Sequence, residues 1–278
     1  KALHDVARDG DAFESDLALV SIALVSSRPG IGEGGRLEAL RGEQVYLMKI
    51  FSKAKDRRRP WAAMAIGLQG YHARAEGALL FESTSKALRW TFDRTRSAQS
   101  SGAYCIAFGL RGDKEAIPAM LDRLENTGND AARGLVAISL GLAGARDAVE
   151  SLQEIVADSR YHPTLLRDAA VALALLGRKD VAMDLVEILA DGRSSAVRAA
   201  AVSAIGFVGD ARVVEPLIKL MEDSTQQDRT QALAARALGI VCEEDAFHWS
   251  ADYNNHMNYS SLMASQTNAS GTGFLDQK

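Results

Sequence analysis

Apolar residues along this chain recur at helical spacing and nowhere hold the alternation of a strand for long. In Ser195–Asp223, Val197, Ala200, Ala201, Ala204 and Ile205 make a narrow face of small side chains. Gly206 and Gly209 are expected to end that helix, because Gly takes the left-handed conformation of a C-cap without steric cost. Asp210 is placed to N-cap a second helix. There Val213, Val214, Leu217, Ile218, Leu220 and Met221 form a wider apolar stripe. The unit reads as a helical hairpin with one thin face and one broad face. Alone it covers neither, so it must stack on neighbours.

The pattern recurs. Ala131–Asp158, Thr164–Gly192 and Gly102–Asn126 each pair an Ala-rich helix with a broader one, and Pro118 and Pro216 sit near the starts of second helices, where a missing N–H costs least. The first helices close at positions 112, 144, 177, 209 and 242, so the steps are 32, 33, 32 and 33 residues. A fixed period of this size marks a stacked repeat array. Upstream the step lengthens to 42 residues. Trp61–Gly70 carries the same expected ending at Gly67 and Gly70, and Leu17–Arg28 reads as a degenerate copy with Val25 and Arg28 at the glycine positions. The pattern predicts six full or partial hairpins and a terminal helix. It divides the chain into degenerate N-terminal repeats over 1–56, a regular array over 57–242 and a tail over 243–278.

The best unit, Ala196–Leu217 (AVRAAAVSAIGFVGDARVVEPL), resembles the short bacterial HEAT repeats, also called PBS-lyase HEAT-like repeats. The resemblance covers roughly Arg57–Cys242. It implies an all-α, right-handed α-solenoid of stacked helical hairpins. The ankyrin and tetratricopeptide signatures are missing. In the tail, Asp252-Tyr-Asn-Asn, Asn258-Tyr259 and Gly271–Asp276 are similar to the C-terminal segment of HEAT-repeat proteins common in planctomycete-type bacteria. Phe247, Trp249, Tyr253, Met257, Tyr259, Leu262, Phe274 and Leu275 give that tail the apolar groups of a polar and aromatic cap over the last repeat.

Composition narrows the classes. Hydrophobic residues make up 47% of 278, enough for a continuous core, and five prolines are few. A solenoid of this length is expected to grow along one axis without splitting. The longest apolar runs reach about half the ~18 residues of a membrane span, and no signal peptide is visible. The chain opens at Lys1 rather than Met, which leaves room for an upstream segment. Cys105 and Cys242 lie in Ala-rich helices and are expected to be buried free thiols. That leans toward a reducing compartment and is compatible with the cell envelope. Net charge is −4, but residues 1–112 hold 17 Lys and Arg against 12 Asp and Glu, leaving the remainder acidic. A weakly acidic chain is not built for bulk nucleic-acid binding.

Candidate partner-binding residues form two groups. Lys53, Lys55, Arg57 and Arg58, with Arg59, flank Pro60 and Trp61. A second basic cluster, Lys86, Arg89, Arg94 and Arg96, surrounds Trp90 and Phe92. Both are placed in the longer inter-helix segments, where basic and aromatic residues together grip phosphate or an acidic protein; the plainer reading is solvated loops over core aromatics. The other group stands ten residues after each closing position: Asp122, Glu154, Glu187 and Lys219. Stacked, they form a mostly acidic row that favours a basic partner segment, or a solvated face with no further role. Arg59, Arg133 and Arg198 stand eleven residues before an expected closing glycine and are read as ties between helix ends.

No catalytic, cofactor or metal set emerges. His248, Asp252 and His256 share a face only if Asn254 and Asn255 lie in a helix. The HEAT-repeat di-iron enzyme deoxyhypusine hydroxylase needs His-Glu dyads, and no His here precedes Glu. Gly30–Gly35 echoes a dinucleotide loop without the strand such a loop follows. Asn258-Tyr-Ser and Asn268-Ala-Ser match the glycosylation pattern by composition. The leading expectation is therefore a non-enzymatic scaffold that binds protein partners, without cofactors. Its alternatives are a bilin-lyase-like accessory, which the repeat resemblance implies, and phosphate or nucleic-acid binding through the basic clusters.

Overall fold

The computed structural model describes residues 2–28, 35–55, 57–75, 82–158, 162–191 and 194–242. The glycine-rich segment 30–34 lies outside the described residues. So does the tail 243–278, with its expected cap, the His248, Asp252 and His256 set and both Asn-x-Ser matches. The described residues are helical and hold no strand, as an all-α solenoid requires. The chain divides into two compact units, 1–181 and 182–278.

In the first unit the helices are α1 (Ala2–Asp9), α2 (Ala12–Ser26), α3 (Gly35–Lys53), α4 (Arg59–Ala75), α5 (Glu82–Asp93), α6 (Ala98–Arg111), α7 (Ile117–Asn126), α8 (Asp130–Ala143), α9 (Val149–Asp158) and α10 (Pro163–Leu175). The Ala-rich first helices α2, α4, α6, α8 and α10 pack one on the next in chain order. The second helices α3, α5, α7 and α9 each pack against the first helix that follows. In the second unit α11 (Val181–Asp191), α12 (Ser195–Val208), α13 (Val214–Glu222) and α14 (Asp228–Cys242) repeat the theme, with α12 and α13 both packed on α14.

The periodic glycines divide into two jobs. Gly112, Gly144, Gly177 and Gly209 have φ of 66°, 68°, 81° and 58°, and they are the positive-φ residues among the described residues. They close α6, α8, α10 and α12, as expected. The glycine three residues earlier does not end its helix. It is a contact point: a Cβ on Gly109 would lie 2.7 Å from the Ser139 carbonyl oxygen, and one on Gly141 would lie 2.9 Å from Ala172 Cα. Gly206 likewise faces the Ile240 side chain. Gly206 makes room for a side chain, whereas Gly109 and Gly141 let successive first helices approach backbone to backbone. The same holds for Gly67, where a Cβ would lie 2.7 Å from Ala107 Cα. That corrects the expected helix end at Gly67 and Gly70, since α4 runs on to Ala75.

Second helices start through short 3-10 turns at Lys114–Ala116, Arg146–Ala148 and Ala211–Val213. Asp210 caps the last, its side chain accepting from the Arg212 N–H at 3.0 Å. The degenerate first copy is also a helix, α2. Asp11 and Glu14 form a reciprocal capping box at its start.

Candidate functional site: a charged ridge of second helices

The second helices of the first unit are neighbours in series. Gln44 on α3 donates to Thr84 on α5 at 3.5 Å. Arg123 on α7 donates to the Thr95 carbonyl just beyond α5 and lies 4.8 Å over the Phe92 ring. Helices α7 and α9 line one cleft between them. Their outward residues follow from helical geometry. On α3 the buried Leu40, Gln44, Leu47 and Phe51 leave Arg41, Val45, Lys49 and Lys53 exposed on the other side. Lys86, Trp90 and Arg94 are exposed along α5 and just past its end. On α7 and α9 the exposed charges are Asp122, Glu125, Glu150, Glu154 and Asp158. Within this unit the exposed charge of the ridge is mainly basic on α3, mixed along α5, where Glu82 and Asp93 stand among Lys86 and Arg94, and acidic on α7 and α9.

The acidic half contains a cleft of about 420 Å³. Glu125 from α7, Asp130 and Arg133 from α8, Glu154 and Asp158 from α9, and His162 before α10 line it over an apolar floor of Leu124, Ile155 and Leu165. Arg133 is tied down, its Nε donating to the Leu124 carbonyl at the end of α7 at 3.1 Å. His162 Nδ1 and Asp130 Oδ2 are 2.5 Å apart. Four carboxylates therefore line one cleft, Asp130 among them against His162, with a single guanidinium already engaged. Of the expected row, Glu154 lines this cleft. Asp122 does not; it accepts from Asn126 at 3.0 Å.

The remaining row members lie in the second unit. Glu187 and Lys219 line a depression of about 320 Å³ between α11 and α13, with Val186, Pro216 and Leu220. Both are exposed, and Lys219 pairs with Glu215 at 3.3 Å on the same helix.

The first basic cluster is partly consumed by the fold. Arg57 donates to the buried Asp16 at 3.0 Å, and Arg58 donates to the Ala7 carbonyl at the end of α1. Lys53 closes α3 and Lys55 follows it, both exposed. The second cluster is not in an inter-helix segment, as the sequence had implied, because Lys86, Arg89, Trp90 and Phe92 belong to α5. Its members have different fates. Phe92 is core. Arg89 is held by both Asp113 oxygens at 2.6 and 2.8 Å, and by Glu115 at 2.8 Å. Trp90 is 60% exposed, and the Arg94 guanidinium lies 4.0 Å over its ring.

Two of the three expected tie arginines bond the carbonyls of a helix end. Arg59 donates to the Phe51 and Ala54 carbonyls at the end of α3, and Arg133 to that of Leu124. A cation there also meets the negative end of the helix dipole. Arg198 on α12 reaches forward instead, to Thr230 at 2.8 Å and Gln227 at 3.2 Å. The thiols differ from each other. Cys105 is buried, and that burial pushes its pKa up to about 12 against a small opposing pull from Arg123. Cys242 is exposed, contrary to expectation, because it falls off the stripe of Thr230, Ala234 and Ala237 that α14 buries.

Among the described residues no three His, Cys, Asp or Glu side chains converge to hold a metal ion, and no helix is long and apolar enough to cross a membrane. Residues 160–239 match HEAT repeats. The match spans the chain from α10 to near the end of α14 and includes the run Ala196–Leu217. No curated protein matches the chain. HEAT repeats commonly serve as protein-interaction scaffolds.

Sequence reading found Glu154 and missed Glu125, Asp130, Asp158 and His162. A row at one register position samples one residue per helix. A cleft between helices is lined by several positions on each side. Adding the positions one turn on either side of the row would have collected Glu125, Glu150 and Asp158.

Proposed function

We propose that the protein is a non-enzymatic scaffold that holds protein partners on its second-helix ridge. We further propose that the cleft of the first unit takes a basic segment of such a partner. The carrying observation is the cleft lining: Glu125, Asp130, Glu154 and Asp158 around an apolar floor, with Arg133 turned to a backbone carbonyl. Lys and Arg side chains suit that shape, because their alkyl stems pack on Leu124 and Ile155 while their heads meet carboxylates. Each exposed pair contributes little alone, about 0–1 kcal/mol, so the cleft works as a set.

The test is titration of a fluorescein-labelled Lys- and Arg-rich peptide into the full chain by anisotropy. The unsubstituted protein should bind, and affinity should fall as salt rises. The double substitution Glu125→Lys with Glu154→Lys should weaken binding about tenfold or more, ~1.4 kcal/mol, with an unchanged helical circular-dichroism melt because both residues are exposed. Equal affinity of the two proteins would remove the cleft from the reading.

A further inference from the structure

We infer that Trp90, with Lys86 and Arg94, is the anchor for an acidic segment of a protein partner. The inference rests on the scaffold reading above and concerns the opposite, mainly basic half of the same ridge.

Trp90 is the large aromatic that α5 leaves in solvent, while Leu88 and Phe92 on the same helix are almost fully buried. Trp is costly to expose and is enriched at the centres of protein interfaces. Its surroundings are already ordered. Arg94 lies over the ring at 4.0 Å and donates through Nη1 to the Trp90 carbonyl at 3.1 Å. Those two contacts hold the guanidinium in place, and the group is exposed, so a carboxylate can reach its remaining N–H donors. Lys86 stands one helical turn before Trp90, so the indole sits between two cations. The neighbouring Arg89 is different. It is half-buried and saturated by Asp113, Glu115 and Glu82, so it holds α5 to the turn after α6 and is not a binding group.

The surface extends onto α3, where Arg41, Lys49 and Lys53 are exposed along one face. Glu38 is exposed on α3 too, so the cations there outnumber the carboxylates and the field favours anions. Two features favour an acidic peptide over a phosphate backbone. Asp93 and Glu82 are exposed on α5 among the cations, which breaks a continuous phosphate track. Arg57 and Arg58, the densest cations nearby in sequence, are already engaged by Asp16 and the Ala7 carbonyl, although Arg57 stays exposed. An acidic segment carrying apolar side chains fits the alternation of Trp90 and Val45 with Lys and Arg. A partner with one acidic and one basic stretch would then lie on the ridge in a single direction.

The probes are three: a short fluorescein-labelled peptide of Glu with interspersed Leu, the basic peptide above, and a single-stranded oligonucleotide of matched charge. The full chain should bind the acidic peptide. Trp90→Ala should weaken that binding at least about tenfold, Trp90→Phe should restore part of it, and Lys86→Glu with Arg94→Glu should abolish it. All these residues are exposed, so circular-dichroism melts should match the unsubstituted protein. Glu125→Lys with Glu154→Lys should leave the acidic peptide's affinity intact or raise it, while weakening the basic peptide. Failure of the unsubstituted chain to bind the basic peptide alone counts against the cleft and not against Trp90. Failure of the unsubstituted chain to bind the acidic peptide overturns this inference. So does equal affinity of the Trp90→Ala protein, or tighter binding of the oligonucleotide.

Discussion

A missing side chain is the smallest unit of this architecture, and its effect depends on what stands opposite. Gly141 faces the backbone of Ala172, with Cα and O both 2.9 Å from where a Cβ would be. Backbone cannot rotate away, so Gly141→Ala must push α10 off α8. The gain in helix propensity, about 1 kcal/mol, is outweighed by overpacking of roughly 1–3 kcal/mol. We expect net destabilisation, read as a lower midpoint in urea. Gly42, on the exposed face of α3, has nothing within 4 Å of its absent Cβ. There Gly42→Ala should stabilise by about 0.5–1 kcal/mol. Opposite signs for one chemical change would separate contact glycines from incidental ones. Two shifts of the same sign would mean that close approach is not what Gly141 provides. The period marked both glycines of each Gly-x-x-Gly as helix ends. Only the left-handed one is an end, because a glycine that makes room for a neighbour and one that turns the chain look alike in sequence.

At the scale of the element, helices were legible where the repeat was regular and misjudged where it was not. The ends of α6, α8, α10 and α12 follow from Gly112, Gly144, Gly177 and Gly209. In α4 the pair Gly67 and Gly70 is buried against α6, so the helix continues, and α5 takes up residues expected to be loop. The alternation of Arg and Trp with Leu88 and Phe92 hid an amphipathic helix inside what read as a basic segment. One seam carries a group that pattern would not place there. Asp168 on α10 is buried against Gly134 of α8, its carboxylate accepting two bonds from Arg167 at 2.8 and 2.7 Å. Burial raises its pKa above the usual carboxylate range, with Arg167 pulling the other way. A carboxyl raised in the folded state adds stability below its unfolded pKa, near ~4, and loses it as pH rises through the folded value. At neutral pH the ionised group is therefore a net cost to this seam. Asp168→Asn should melt higher than the parent at pH 7, with the difference closing toward pH 4. A variant that melts lower by the same amount at every pH would show that the bonds from Arg167 dominate.

For the whole molecule, the sequence reading described one array on one axis, and the structure resolves two compact units, 1–181 and 182–278. Each has its own core, Phe108, Leu140 and Leu165 in the first and Ile205, Leu217 and Ala237 in the second. The charge imbalance visible in the sequence acquires a location only in the structure, as the mainly basic and the acidic halves of one ridge in the first unit. Composition could not supply it, since the arginines divide between that ridge and internal ties such as Arg58, Arg89 and Arg198. Separate cores imply separate responses to damage. In a repeat array each element is supported mainly by its neighbours, so a local fault spreads by contact and fades with distance. Gly141→Ala breaks the α8–α10 contact inside the first unit. Native-state hydrogen exchange should then show the largest loss of protection in α8 and α10, a smaller loss in α6, which packs on α8, and the least in α12, α13 and α14. Equal loss across both units would mean that the chain unfolds as one cooperative block, and that the two cores are not separate units of stability.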